Sequence, residues 1–194
     1  MKAGYHHGDL RAALLTSAME MLEQGEPFSL RAVARRAGVS ATAPYRHFAD
    51  REALESALAA QGLRDLKADL IAAGPLPTSA SEVADLAVAY VDFALRRPAL
   101  FRLMFGHECD DTNDQRVQAA GELHELLGVV MSNVFPGKDA ASLASAGWAL
   151  AHGLAFLHLD GKLAASSPHE VAARVRGAFE AILSVGVDSA HTAS

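Results

Sequence analysis

The chain has one cysteine in 194 residues, so Cys109 cannot close an internal disulfide, and a disulfide-stapled secreted scaffold is excluded. No apolar run approaches the ~18 uninterrupted residues of a membrane span. The opening MKAGYHHGDL lacks the basic-then-apolar order of a signal peptide. A cytoplasmic protein with no membrane partner is therefore expected. There is no Cys-x-x-Cys pair, no helical Glu-x-x-His pair and no glycine-rich phosphate loop, which removes the usual signatures of zinc, di-iron and nucleotide sites. The run His107-Glu108-Cys109-Asp110-Asp111 concentrates ligand types, yet five successive residues cannot converge on one ion. Neither a metal nor another cofactor is expected.

The remaining composition, 51% hydrophobic and 21% charged, is that of a folded globular protein. A net charge of -6 argues at first against a nucleic-acid partner, since phosphates demand clustered Lys and Arg. Its distribution reverses that impression. Residues 28–51 carry five arginines (Arg31, Arg35, Arg36, Arg46, Arg51) against Asp50 alone, a local +4, whereas the chain from Glu52 onward has ten basic and eighteen acidic residues, a net -8. A basic tip on an acidic body fits a DNA reader joined to a regulatory domain. Arginines that merely solvate two helix faces would give the same count.

Within the basic segment the patterning is helical. Leu10, Leu14, Ala18, Met21 and Leu22 predict a first helix over about 8–24, stopped at Gly25. Ser29 is a good N-cap for a second helix with Leu30, Val33, Ala34 and Ala37 inward, and Phe28 can staple onto Val33. Gly38 turns the chain and Val39 plugs the angle. Ser40 then caps a third helix of about two turns beginning Ala41-Thr42-Ala43-Pro44, where proline is tolerated because the first amides lack intrahelical acceptors. Asp50 can cap a long connector through Leu54, Leu58, Leu63, Leu66 and Leu70. The third helix has the chemistry of a recognition helix. Small residues permit close approach to base edges, Arg46 can donate two bonds to a guanine, and Tyr45, His47 and Arg51 can donate to phosphates. Phe48 and Val39 are read as core.

These residues resemble the helix-turn-helix of the tetracycline-repressor (TetR) family of bacterial transcription regulators: Ala-x-x-Ala-Gly-Val-Ser at 34–40, Tyr45-x-His47-Phe48, and Arg51-Glu52 with Leu54. The resemblance implies an all-α protein with an N-terminal three-helix DNA-binding domain and a C-terminal helical ligand-binding and dimerisation domain. It implies that Ser40, Ala41, Thr42, Ala43 and Arg46 lie at the DNA, the last four towards the bases. Tyr45, His47 and Arg51, helped by Arg31, would then hold the backbone.

The body reads as further helices over about 80–96, a short apolar one in 98–106, then 115–133, 139–163 and 168–185. The Gly-, Pro- and Ser-rich stretch at 73–81 marks a loop rather than a true domain boundary, since the connector's leucines need a surface to pack on; the organisation expected is a domain over 1–54, with its connector to about 72, and a second over 73–194. Phe93, Phe101, Met104, Phe105, Trp148, His152 and Phe156 can line an apolar cavity with a polar handle or form a packed aromatic core. Trp148 to Gly153 resembles a Trp-x-x-x-His-Gly signature of one group of TetR-like C-terminal domains. In the last two helices, small residues including Ala151 and Ala155, and the stripe of Val171, Val175, Phe179 and Ile182, suit either an intramolecular core or a dimer. The family resemblance implies the dimer. The expectation is thus a homodimeric regulator, a repressor in the family's common mode, that binds a palindromic double-stranded operator and leaves it when a small-molecule effector enters the body. No covalent chemistry is implied. The competing classes are an enzymatic or metal-binding helical bundle and a non-specific architectural DNA protein, the latter disfavoured by the acidic body.

Overall fold

The computed structural model describes residues 7–27, 29–106, 115–164 and 167–185, and every regular element among them is helical. Phe28 and the run His107–Asp111 lie outside the described residues. The chain clusters into two compact units, one drawn from Met1–Leu63 and Arg97–Ala120, the other from Arg64–Arg96 and Gly121–Ser194.

The first unit contains α1 (His7–Glu23), α2 (Leu30–Arg36), a 3-10 turn (Ala43–Arg46), the start of α3 (Arg51–Ala72) and α5 (Pro98–Phe105). Leu14, Ala18, Met21, Leu30, Val33, Phe48, Leu54 and Leu58 form one core cluster, with Val39 packed against it. The helix ends are set by side chains and glycines. Ser29 Oγ accepts from Ala32 N at 3.2 Å, and Asp50 Oδ1 accepts from Ala53 N at 2.8 Å, satisfying amides that the first turns leave open. At the close of α2, Gly38 takes φ +70°, Val39 N donates to Ala34 O at 2.9 Å and Gly38 N to Arg35 O at 3.2 Å. This is a Schellman closure, with Val39 as its apolar plug.

The expected two-turn third helix is shorter than the pattern suggested. Only Ala43–Arg46 is helical, as a 3-10 turn, and Ser40 does not cap it: its hydroxyl lies 3.3 Å from that of Thr42. Pro44 explains the contraction, because it has no amide to donate back to Ser40 O, which takes its bond from Ala43 N at 3.0 Å. The Pro44 carbonyl accepts from both His47 N and Phe48 N at 2.9 Å, drawing the turn tight.

The second unit holds the rest of α3, α4 (Ala80–Arg96), α6 (Gln115–Val134) from Gly121 onward, α7 (Ala140–Leu159) and α8 (Pro168–Val185). Helix α4 is its axis: Val83, Ala87, Tyr90, Val91 and Ala94 are buried, and α7 and α8 both pack on it. Asp139 caps α7, accepting from Ala141 N and Ser142 N at 3.1 and 3.2 Å. Helix α7 stops at Leu159, short of the expected 163, because Gly161 at φ +66° lets Lys162 N reach back to Leu157 O at 2.8 Å.

Two further features depart from the sequence reading. Helix α5, assigned by order to the body, clusters with the N-terminal unit, where Leu100, Phe101 and Met104 are buried and Gly62 leaves room for Met104. Against the expectation that no apolar run approaches span length, helix α7 is long and apolar enough by composition to cross a membrane, with a mean hydropathy of 1.3 over an 18-residue window. Only 22% of that window is buried within the chain.

Candidate nucleic-acid interface and helical cavity

The turn after α2 presents polar side chains on a buried anchor. Pro44 and Phe48 are inside, Ala43 and His47 half-buried, and Arg31, Ser40, Ala41, Thr42, Tyr45, Arg46 and Arg51 exposed. Tyr45 is 50% exposed, a large fraction for a phenol ring with no role in the core. Phe48 is 3% exposed and lies under the Arg11 guanidinium, 5.4 Å from ring centre to Cζ. The backbone of this segment is therefore pinned from below while its upper face is open.

Two expected contacts are not directly open to a phosphate. Arg51 Nε donates to Glu55 Oε1 at 2.7 Å, so a phosphate at Arg51 would compete with that carboxylate. Nε2 of His47 is buried without a hydrogen-bond partner among the described residues, so phosphate contact through it would require the ring to turn. Sequence reasoning passed over Arg36 as a solvated cation. Its guanidinium bonds Glu20 Oε2 at 3.3 Å, Glu26 Oε2 at 3.0 Å and Gln24 Oε1 at 2.8 Å, lashing the end of α2 to the end of α1 and the turn beyond it. The acceptors flanking Gly25 were the available signal.

In the second unit, Leu70, Val83, Leu86, Ala87, Leu127, Met131, Gly147, Ala151 and Phe179 enclose, with Tyr90 and Trp148, a cavity of about 30 Å³. That is near the volume of one water in the liquid and far below the ~300 Å³ at which drug-sized pockets begin. Trp148 Nε1 donates to Tyr90 Oη at 3.1 Å, and Tyr90 Oη lies 3.0 Å from His152 Nδ1. Burial pushes the Tyr90 phenol well above its ordinary pKa, partly offset by the Trp148 bond, and burial pushes the His152 imidazole down.

Of the residues expected around a cavity, the structure brings Trp148, His152 and Phe156 together along α7, with the His152 and Phe156 rings 4.8 Å apart. Phe93 is buried on α4, but it does not line this cavity. Phe101, Met104 and Phe105 belong to the other unit, where the rings of Phe101 and Phe105 lie 4.9 Å apart. Tyr90, which joins Trp148 to His152, was missed; a lone phenol inside the apolar stripe of α4 was its only mark.

Residues 14–58 match the family described as "Bacterial regulatory proteins, tetR family", and residues 83–183, half of the chain, match "Tetracyclin repressor-like, C-terminal domain". The chain belongs to the TetR family. Among solved structures, a protein of unknown function from Rhodococcus sp. RHA1 is 36% identical, with a TM-score of 0.77 over 92% of this chain and 97% of that one. A TetR-family regulator of the same source shares the fold at 18% identity, with a TM-score of 0.65 over 87% and 93% of the two chains. NalD, the secondary repressor of the MexAB-OprM multidrug efflux pump in Pseudomonas aeruginosa, shares it at 22% identity, with a TM-score of 0.56 over 89% and 94%. No curated protein sequence matches the chain.

This TetR-family chain is thus a bacterial transcription regulator with a DNA-binding type of N-terminal domain. Of the side chains assigned to a dimer face, Ala151, Ala155, Val175 and Phe179 are buried within the single chain. Helix α4 claims the faces of α7 and α8 that carry them, so these four are protomer core, a correction that periodicity could not make. Val171 is half-buried and Ile182 is 59% exposed.

Proposed function

We propose that this TetR-family regulator is a repressor: a homodimer that occupies a palindromic operator and leaves it when a small molecule opens the helical domain. The observation that carries the reading is the solvent-facing set Thr42, Tyr45 and Arg46 on a turn whose Pro44 and Phe48 are locked in the core. Arg46 has the chemistry to donate to a guanine edge, and Arg31 and Arg51 are the phosphate donors, Arg51 by exchanging its bond to Glu55. Repression is taken as the mode, as in NalD.

The dimer is proposed on the outer face of α7 and α8, where Ala146, Ala149, Gly153, Leu157, Gly177, Ala181 and Ile182 are exposed. Small residues there allow close helix approach, and an apolar helix left largely uncovered needs a partner. An effector that enters beside Trp148 must enlarge that cavity, and it shifts the protein from DNA by its difference in affinity for the two states.

The test is binding of the purified protein to duplexes flanking its own gene, with random duplex as competitor. Arg46→Ala should cost about 1–3 kcal/mol on the operator and relax discrimination at one base pair, whereas Arg51→Ala should weaken all duplexes alike and flatten the salt dependence. Binding that random DNA abolishes as readily as operator would refute the proposal.

A further inference from the structure

We infer that His152 is a proton-operated latch: as a neutral imidazole it completes a hydrogen-bonded relay that holds α7 to α4, and protonation reverses the last bond of that relay and loosens the helical domain. The inference rests on the reading above that this domain governs DNA binding.

The relay has a direction. An indole N–H only donates, so Trp148 Nε1 gives its hydrogen to Tyr90 Oη at 3.1 Å. In the tautomer that carries its hydrogen on Nε2, His152 Nδ1 accepts the phenol hydrogen across 3.0 Å, and it does so only while it is unprotonated. Two successive turns of α7 are thereby fastened to one side chain of α4, itself 4% exposed. Protonating His152 removes the lone pair at Nδ1. The bond must reverse, the phenol hydrogen must be redirected, and a charge arrives beside a cavity lined by Leu70, Val83, Leu86, Leu127 and Met131.

Other ionisable groups nearby differ in kind. The buried Tyr90 phenol stays neutral through this range, its ionisation being pushed upward. His124 from α6 lies 6.3 Å from the Trp148 ring, on centres. The carboxylates of α4 are held by other groups: Glu82 by Thr78, Asp85 by Arg176 of α8, and Asp92 by Arg96. Burial lowers the His152 pKa in the folded state, so its contribution to stability is complete above about 6.5, the ordinary imidazole value, and is lost as the pH falls through the lower folded value.

Trp148 is the only tryptophan in the chain, so its emission reports on the relay directly. Emission titrated from pH 7.5 to 5.0 should show one transition with its midpoint below about 6.5. His152→Gln, whose amide oxygen can accept the phenol hydrogen at every pH, should abolish the transition, and His124→Gln should keep it. Tyr90→Phe removes the donor that favours the neutral imidazole and should raise the midpoint. Over the same range, operator affinity of the wild type relative to His152→Gln should fall by about fivefold or more, the low end of an ordinary allosteric coupling. A flat wild-type titration, loss of the transition in His124→Gln, an unmoved midpoint in Tyr90→Phe, or parallel operator affinities would each overturn the latch. If no duplex is bound even at pH 7.5, the proposed function fails, and the emission titrations still decide the latch on their own.

Discussion

Gly38 offers a measurement in which one mechanism acts alone. Its φ of +70° is a conformation that costs an L-residue roughly 1–2 kcal/mol, and a Cβ added there would meet nothing within 4 Å. Gly38→Ala therefore tests backbone strain without steric clash, and the expected loss is about 1 kcal/mol once the stiffer unfolded chain is counted. Asn tolerates this region better, so Gly38→Asn should recover part of the loss. Gly128 is the internal control: it lies inside α6, also with no neighbour within 4 Å of a Cβ, and without positive φ. Gly128→Ala should stabilise, by up to about 1 kcal/mol of helix propensity. One kind of substitution thus takes opposite signs at two open sites. Urea melts of the three variants read the effect as a shifted midpoint at unchanged slope. Equal stabilisation by alanine at both glycines, or Gly38→Asn no better than Gly38→Ala, would refute the Schellman closure and with it the account of how the chain is aimed into residues 40–46.

Gly62→Ala should destabilise, since the new Cβ would lie 2.7 Å from Met104 Sδ and 2.9 Å from Leu100 Cδ1, and overpacking of about 1–3 kcal/mol exceeds the helix gain. Adding Met104→Ala should make the pair less costly than the sum of the singles, and strict additivity in a melt would count against the contact. Ile182→Glu should convert the proposed dimer to a folded monomer by light scattering, because that side chain is 59% exposed in the protomer, whereas Val175→Glu at 0% should unfold it. A dimer that survives Ile182→Glu would move the interface elsewhere. In alkaline titration Tyr90 should ionise after exposed tyrosines, its phenol raised by burial. The folded state then loses stability as pH climbs from about 10, where an unfolded tyrosine ionises, through the higher folded value, and ultraviolet absorbance with melting checks both.

Much of this architecture is legible in the sequence because local chemistry decides it. The caps Ser29 and Asp50 and the glycines 25 and 38 punctuate the helices through bonds within a few residues of chain. The family pattern at 34–54 is local in the same sense. What was not legible depends on distant partners. Val175 and Phe179 have the periodicity of an interface, yet α4 covers them, and only the fold tells one apolar neighbour from another. Arg36 looks solvated until Glu20, Gln24 and Glu26 are brought round Gly25. Tyr90 gains meaning only when Trp148 and His152, some sixty residues on, arrive at its hydroxyl. The contraction of the third helix was half visible: Pro44 was noticed as tolerable, but its missing amide shortens the element rather than merely fitting it.

On the proposed function, the brevity of that turn limits how much text one copy can read. Four residues at about 2.0 Å each extend roughly 8 Å, the height of two or three base pairs at about 3.4 Å. At most about two bits per pair, that is on the order of five bits, a word met by chance every thirty or so positions. Two copies double the word, and still fall well short of singling out one address among the ~10⁶ or more competing sites of a genome. In that reading the missing information comes from groove width and the ease of bending, and from the fixed interval between two short words. An operator for this protein is accordingly defined by spelling at a few positions and by the mechanics of the DNA between them.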